Sequence, residues 1–146
     1  MSIRHYQTGD EAAQAEIYNR AAAALPAFKP TTPEEIARRY RTSDPDPTAK
    51  LYAVDAGQVV GYAVLNPSGR ISFPWCLPGA EGHQEPLLEA ILAALARRGR
   101  REAWAAYRDD WTPVLEFFDR HGFTRRRAMI NFLADVAHLP RTPLPP

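Results

Sequence analysis

The chain has 146 residues, of which 45% are hydrophobic, and a formal net charge of +1; these values fit one folded domain and exclude a disordered chain. The near-neutral charge does not favour binding of nucleic acid over a broad surface. No apolar run approaches the length of a membrane span, and the N-terminus does not resemble a signal peptide. With the single cysteine Cys76 and four histidines that lack ligand spacing, we expect a cytoplasmic protein without a disulfide, a metal, or a nucleic-acid or membrane partner.

The first half of the chain predicts a strand, two helices and a hairpin. Asp10 is placed to cap the first helix, and Pro26 is expected to end it. The second helix has a strong start at Thr32-Pro33, with acidic residues in its first turn. A short Gly-containing spacer then joins two strand-like runs, which favours an antiparallel hairpin. The predicted ranges are a strand at 3–8, helices at 10–25 and 32–41, and strands at 51–54 and 59–65.

The second half alternates strands with helices. A third hairpin-like strand leads through a Pro- and Gly-containing loop into an apolar helix, and a strand, a short helix and a last strand follow. The predicted ranges are strands at 70–76, 102–107 and 129–134 and helices at 86–98 and 112–121. We assign residues 1–136 to one domain and residues 137–146, with four prolines, to a C-terminal tail.

This order predicts an α/β fold with a mixed, mostly antiparallel central sheet and about four helices. A strand, a helix and a further strand in succession favour one parallel β–α–β unit within that sheet. Three prolines bracket the strand and loop before the long helix: Pro74, Pro78 and Pro86. Pro74 removes a donor from the strand, which indicates an edge, a bulge or a separation of strands at this point.

Three segments in this order resemble the GNAT superfamily, the acyl-CoA-dependent N-acyltransferases. Residues 58–65 look like the third strand of the family, residues 75–92 like its fourth strand, cofactor loop and following helix, and residues 114–123 like its C-terminal helix and Gly-Phe turn. The resemblance covers Ile3 to about Val136. It implies that strands 4 and 5 splay apart and that acetyl-CoA lies against strand 4 and the loop after it.

The resemblance assigns cofactor binding to strand 4 and to the loop that opens the next helix. Small residues in that loop let backbone amides approach a phosphate at a helix N-terminus. The residues carried over are Cys76, Leu77, Ala80, Gly82, His83 and Gln84. The loop keeps only the first glycine of the family motif, Gly82, and Glu81 and Glu85 place negative charge beside the expected anion site.

The catalytic positions of the family also differ. The tyrosine that often supplies the acid corresponds to Phe118, which has no proton to donate, and the asparagine that often opens the same helix corresponds to Trp111. Tyr107, Asp109 and Asp110, at the end of the fifth strand, are the substitutes we consider. A Phe118→Tyr variant is expected to raise kcat if the cofactor binds but turnover is slow.

Several conspicuous residues have structural interpretations beside functional ones. We interpret Cys76 as a buried strand cysteine, because no histidine is placed to activate it as a nucleophile. His83 is a solvated loop residue or a phosphate ligand, and His121 is placed to cap its helix. The arginine-rich run at 97–101 is a helix end rather than a phosphate or RNA patch. We assign Trp104, Trp111, Phe117 and Phe118 to the core rather than to an acceptor pocket.

The leading hypothesis is an N-acetyltransferase that uses acetyl-CoA to acylate a primary amine on a small molecule or a protein. The alternative is a domain of the same fold that has lost catalysis and serves as a binding or interaction module. A third is an unrelated mixed α/β ligand-binding domain. The resemblance also leaves a homodimer open, because edge strands of this fold often pair.

Overall fold

A computed structural model describes residues 2–43, 46–126 and 131–135 of the chain. Within them lie seven strands and four α-helices, in the order β1 α1 α2 β2 β3 β4 α3 β5 α4 β6 β7. The strands are β1 (Ser2–His5), β2 (Lys50–Asp55), β3 (Gln58–Val64), β4 (Trp75–Cys76), β5 (Glu102–Ala106), β6 (Thr124–Arg125) and β7 (Asn131–Asp135). The helices are α1 (Asp10–Ala21), α2 (Pro33–Ser43), α3 (Gln84–Arg97) and α4 (Thr112–Arg120).

The strands form two antiparallel groups that meet at β4 and β5. The first group has the order β1-β2-β3-β4 and the second has the order β5-β7-β6. The segment just before β4 joins them, because Arg70 forms a parallel bridge to Trp104 of β5 and Ile71 forms an antiparallel bridge to Leu65 after β3. The mixed, mostly antiparallel sheet with one parallel β–α–β connection is therefore confirmed.

Helices cover both faces of the first strand group. Helix α1 packs against β3, β4 and α2, whereas α3 packs against β2 and β3. Because side chains alternate along a strand, Tyr62 faces α1 while the neighbouring Gly61 faces α3. The core between these layers includes the fully buried α3 residues Leu87, Ile91 and Leu92.

Gly61 is where α3 and β4 approach β3 most closely. A Cβ atom built on this glycine would lie 2.7 Å from Cys76 Sγ and 3.1 Å from Leu87 Cδ1. Both distances are below ordinary van der Waals contact. A glycine at this position therefore allows β4 to lie flat against β3 under the long helix.

The predicted start of α2 is confirmed, whereas the predicted cap of α1 is wrong and the end of α1 differs. Asp10 is the first residue of α1, Gly9 is its N-cap, and Asp10 Oδ2 accepts from Gln7 N at 2.7 Å. Thr32 Oγ1 accepts a hydrogen bond from Glu35 N at 3.1 Å, as expected of the cap of α2. Helix α1, in contrast, ends at Ala21 rather than at Pro26. The Pro26 carbonyl instead accepts a hydrogen bond from the Trp111 indole at 2.7 Å. The last turn predicted for α1 is therefore absent, and Pro26 instead takes part in a contact between distant segments of the chain.

Other differences concern the boundaries of strands and helices, and some predicted segments lie outside the described residues. The strand predicted at 70–76 is regular only at β4, because Pro74 interrupts it and Arg70 and Ile71 contribute single bridges. Helix α3 begins two residues earlier than predicted, after a single 3-10 turn at Glu81–His83. The predicted tail at 137–146 and the first residues of the strand predicted at 129–134 lie outside the described residues.

Candidate active site

The segment that leads into β4 pairs with β5 and then separates from it. Ile71 N donates to Trp104 O at 2.8 Å, and Trp104 N donates to Gly69 O at 3.0 Å. Two residues further along, Phe73 N donates to the side-chain hydroxyl of Tyr107 at 2.8 Å instead of to a backbone carbonyl. Pro74, which follows, has no N–H to donate. The splay of strands 4 and 5 is therefore present, and it starts where Tyr107 replaces backbone pairing.

Trp75 occupies the centre of the splay and is 4% exposed. Its ring lies 5.1 Å from that of Tyr18, 4.7 Å from that of Phe73 and 6.1 Å from that of Trp111, in edge-to-face contacts. Edge-to-face packing of this kind fixes the orientation of an indole. Two cavities share Trp75 as a lining residue.

We call the larger one the tyrosine cavity, after Tyr18, Tyr62 and Tyr107. It has a volume of about 400 Å³ and lies between the α1–α2 side of the molecule and the ends of β3 and β5. Burial raises the pKa of Tyr18 and of Tyr62, so both hydroxyls are protonated at neutral pH. The remaining lining includes Gln14, Lys29, Glu35, Arg39 and Ser72.

Tyr107 is the sequence-predicted catalytic candidate that lines this cavity. Burial raises its pKa to about 12, although hydrogen bonds from Phe73 N–H and from the Trp75 side chain lower it. Phe73 N–H thus points at the phenolic oxygen, and in the described structure no hydrogen bond donated by Tyr107 is present. A phenol that accepts a hydrogen bond keeps its own hydrogen to donate.

Asp109 and Asp110 do not reach the cavity. Both are exposed, and Asp110 accepts two hydrogen bonds from Arg108, at 2.9 Å each. These bonds hold the pKa of Asp110 below its usual value. An exposed carboxylate held in an ion pair with its neighbour is a poor base for a group in the tyrosine cavity.

Phe118, at the position where the family often has tyrosine, lies in the core. It is 0% exposed and lines neither cavity, and its ring stacks on Tyr107 at 6.1 Å and contacts Phe123 at 5.0 Å. Trp111, Phe117 and Phe118 are all buried, in agreement with their assignment to the core. In this packing Phe118 supports the ring of Tyr107 rather than facing a ligand.

We call the second cavity the loop cavity, because it lies beside residues 78–84. Its volume is about 250 Å³, and its lining is mostly apolar, with Phe73, Trp75, Pro113 and Val114 on one side. Cys76 and Gln84, two of the predicted cofactor residues, also line it. Cys76 is buried, and burial raises the pKa of its thiol to about 12, in keeping with a structural cysteine.

The amides of the loop are largely paired within the loop itself. Ala80 N donates to Leu77 O at 2.8 Å, His83 N donates to Ala80 O at 3.0 Å, and Gln84 N donates to Glu81 O. Gly79 N donates to the Glu81 carboxylate at 2.9 Å. The amides of Glu81 and Gly82, the first two of the 3-10 turn, have no earlier helical carbonyl to bind.

His83 is not the solvated residue that the sequence favoured. Its side chain is 14% exposed, and Nε2 lies 3.4 Å from the carboxylate of Asp55, at the β2–β3 turn. Its Nδ1 is buried and has no hydrogen-bond partner among the described residues. Because α3 folds back on the β2–β3 hairpin, the loop before α3 brings this ring against Asp55. His121, as predicted, caps α4 through Nδ1, 2.7 Å from Phe117 O.

Sequence reasoning missed Arg39, Tyr18 and Tyr62 as site residues. They lie on α2, α1 and β3, and only the fold brings them together. It also missed Asn19, whose amide accepts from Thr31 N at 2.8 Å and donates to Thr31 O at 2.9 Å. An asparagine on an exposed helix face followed by a Pro-rich loop was the available signal for this anchor.

The described residues show neither a metal cluster nor a membrane span. No three of their His, Cys, Asp and Glu side chains lie close enough together to hold a metal ion. None of their helices is both long and apolar enough to cross a bilayer.

A mixed sheet that opens between β4 and β5, with a helix returning from β4 to β5, is the arrangement that the sequence resemblance implied. The structure is similar to a ribosomal-protein-alanine N-acetyltransferase from Brucella melitensis, with a TM-score of 0.69, 22% identity, and 92% of this chain and 99% of that chain covered. It is also similar to a GNAT family acetyltransferase from the same organism in complex with acetyl-CoA, with a TM-score of 0.70, 21% identity and 92% and 86% of the two chains covered.

A GNAT family acetyltransferase from Staphylococcus aureus gives a TM-score of 0.72 at 12% identity, with 92% of this chain and 98% of that chain covered. No protein-family model matches the sequence, and neither does any curated protein. The chain therefore has the GNAT fold, as the sequence resemblance implied.

Proposed function

We propose that the protein is an acetyl-CoA-dependent N-acetyltransferase that transfers an acetyl group to a primary amine. The observation that carries the proposal is the pair of cavities that share Trp75 as a lining residue, with the Tyr107 hydroxyl at the point where β4 and β5 separate. Ligands in two cavities that share a lining residue can meet there. The structural neighbours with this fold include an acetyltransferase solved with acetyl-CoA.

The edge of β4 fits the amide-containing arm of acetyl-CoA. Leu77 N donates to Val60 O at 2.8 Å, and Cys76 pairs in register with Gly61. Hydrogen bonding alternates along an antiparallel strand, so the N–H and C=O of Cys76 point away from β3, toward the splay. The apolar lining of the loop cavity suits the alkyl parts of the same arm.

The loop fits the diphosphate of the cofactor less well. The amides of Glu81 and Gly82 are the groups that would hold a phosphate, at the start of the helical turn. The Glu81 carboxylate already accepts from Gly79 N at 2.9 Å and brings a negative charge to the same place. We infer that the cofactor contacts Cys76, Leu77, Ala80, Gly82, His83 and Gln84. The loop contributes little to the affinity for the cofactor.

Acetyl-CoA, when bound, supplies an activated acetyl group on a sulfur that leaves as a thiolate. Tyr107 is protonated at neutral pH, because burial raises its pKa to about 12. Its oxygen is held by Phe73 N–H, so its own proton is available to stabilise negative charge on the leaving sulfur. The tyrosine cavity orients an amine that arrives deprotonated.

The second candidate function is a catalytically inactive binding module. Two observations favour it. The Glu81 carboxylate accepts a hydrogen bond from the Gly79 amide of the loop, and Phe118 lies in the core at the position where the family often has an acid. Both remove features that support turnover in the family that the sequence resembles.

One experiment separates the two functions. Thermal unfolding is followed with and without millimolar acetyl-CoA, and release of CoA thiol is then followed after a primary amine is added. A ligand at 100 times its Kd adds about 2.7 kcal/mol of stability, so the enzyme is expected to unfold several degrees higher. Cys76 is buried and does not contribute to the thiol signal. An unchanged midpoint rules out the enzyme; a raised midpoint without thiol release from any amine identifies a binding module.

A further inference from the structure

The tyrosine cavity contains more positive than negative charge. Lys29 and Arg39 are its two cationic lining residues, and Glu35 is its one carboxylate among the described residues. An amine acceptor by itself gains nothing from this excess, because its protonated form is repelled by cations. The charges therefore point to a second, anionic group on the acceptor.

Arg39 lies exposed on α2 and donates to a hydroxyl that itself donates to the Glu35 carboxylate at 3.4 Å. Its Nη2 donates to Thr31 Oγ1 at 3.1 Å, and Thr31 is fixed to α1 by the two hydrogen bonds with Asn19. In the part of the chain that the structure describes, Arg39 forms no ion pair. A guanidinium has five N–H donors, and one is used here, so a planar pair of donors remains for a carboxylate.

Arg39 lines the same cavity as Tyr18 and Tyr62. Its charge lowers the pKa of both tyrosines, against the increase that burial causes. Trp75 and the three tyrosines offer an apolar surface beside it. A cavity of about 400 Å³ with one cationic end and an aromatic wall suits a small molecule rather than an extended polypeptide.

We propose that the acceptor is a free amino acid with an apolar or aromatic side chain, whose carboxylate binds Arg39. This inference rests on the proposed acetyl transfer for the identity of the reaction, but the binding site itself does not depend on turnover. The carboxylate binds the Arg39 guanidinium, the side chain lies against the tyrosines, and the amine is left to face Trp75 and the splay.

The test measures binding of the reaction product in the absence of acetyl-CoA. Calorimetric titration compares N-acetyl-L-phenylalanine with its carboxamide, which has the same shape but no charge. The wild-type protein is expected to bind the acid at least about tenfold more tightly than the amide, a typical value for one charged hydrogen-bonded pair. The Arg39→Gln variant is expected to bind both equally.

The matched control is Arg38→Gln, one residue earlier on the same helix. Arg38 is exposed and does not line the cavity, so this variant loses the same charge but is expected to keep the preference for the acid. Equal binding of acid and amide by the wild-type protein overturns the inference. So does a preference for the acid that survives in Arg39→Gln or is lost in Arg38→Gln.

Acetyl transfer is measured separately, with phenylalanine and phenylalanine amide as acceptors. If the product acid binds through Arg39 but neither acceptor is acetylated, the proposed function fails and the ligand class stands. If both acceptors are acetylated at the same kcat/KM, the proposed function stands and the ligand class fails.

Discussion

The two cavities beside Trp75 differ in what their polar groups leave for a ligand. In the tyrosine cavity, the hydroxyl of Tyr107 and the guanidinium of Arg39 keep donors that no described residue accepts from. Beside the loop cavity, four of the six amides of the 79–84 segment are already paired: Ala80 N–H binds Leu77 O, and those of Gly79, His83 and Gln84 bind groups within the segment. Polar groups that are already satisfied contribute little to binding, because a ligand must first displace their partners.

This difference assigns specificity for the acceptor to the tyrosine cavity and affinity for the cofactor to the loop cavity. The tyrosine cavity has fixed donors on rigid elements, which is the condition for recognising one class of acceptor. The loop cavity relies on the edge of β4 and on apolar contact. We therefore expect the cofactor to bind mainly through β4, and we expect substitutions in the loop to change affinity more than turnover.

The largest effect is expected at Gly61, where β4 and α3 approach β3 most closely. Gly61→Ala places a methyl group 2.7 Å from Cys76 Sγ and 3.1 Å from Leu87 Cδ1, so β4 must shift away from β3. Overpacking of this kind costs about 1–3 kcal/mol. Urea unfolding is expected to show that loss, together with weaker acetyl-CoA binding.

Gly82→Ala is the matched control for Gly61→Ala. A Cβ atom at Gly82 meets nothing within 4 Å, so its stability is expected to change by less than about 0.5 kcal/mol. Equal losses in the two variants would show that the close contact at Gly61 does not set the position of β4.

Local sequence signals predicted many of the helices and strands around this site, but not the side chains that line it. The cap at Thr32 and the apolar face of α3 depend on neighbours in sequence, and both predictions were correct. Pro74 correctly marked the splay, because a missing N–H has the same consequence in any sheet. The early end of α1 was missed, since the Pro26 carbonyl binds an indole 85 residues away.

The chemistry of the tyrosine cavity could not be predicted, for the same reason. Arg39, Tyr62 and Tyr107 come from three elements, and no spacing in the sequence connects them. The burial of His83 against Asp55 likewise depends on how α3 lies on the β2–β3 hairpin. The sequence did indicate Tyr107 as a candidate, because the resemblance placed it at the end of the fifth strand.

A tenfold effect is expected from Tyr107→Phe, which removes the side-chain hydroxyl at the splay. We expect kcat for acetyl transfer to fall about tenfold, the loss of one hydrogen bond worth about 1.4 kcal/mol to the transition state. The variant also leaves Phe73 N–H without its acceptor, so stability falls by about 1–3 kcal/mol. Rates are therefore compared at a temperature where unfolding curves show both proteins folded.

Tyr6→Phe is the control for the loss of a tyrosine hydroxyl. Tyr6 donates to Glu11 at 2.5 Å and lines neither cavity, so kcat is expected to stay unchanged. If Tyr107→Phe also keeps the wild-type kcat, Tyr107 has only the structural role of closing β4.

The smallest effect is expected in the loop. Glu81→Gln removes a negative charge beside the first amides of the helical turn and weakens the hold on Gly79 N–H, now 2.9 Å from the carboxylate. A charge at a helix N-terminus contributes about 0.3–1 kcal/mol, so acetyl-CoA is expected to bind about two- to fivefold more tightly. Calorimetric titration measures this change. Glu102→Gln, an exposed position at the start of β5, is expected to leave the affinity unchanged. Weaker binding by Glu81→Gln would show that the carboxylate shapes the loop for the cofactor instead of competing with it.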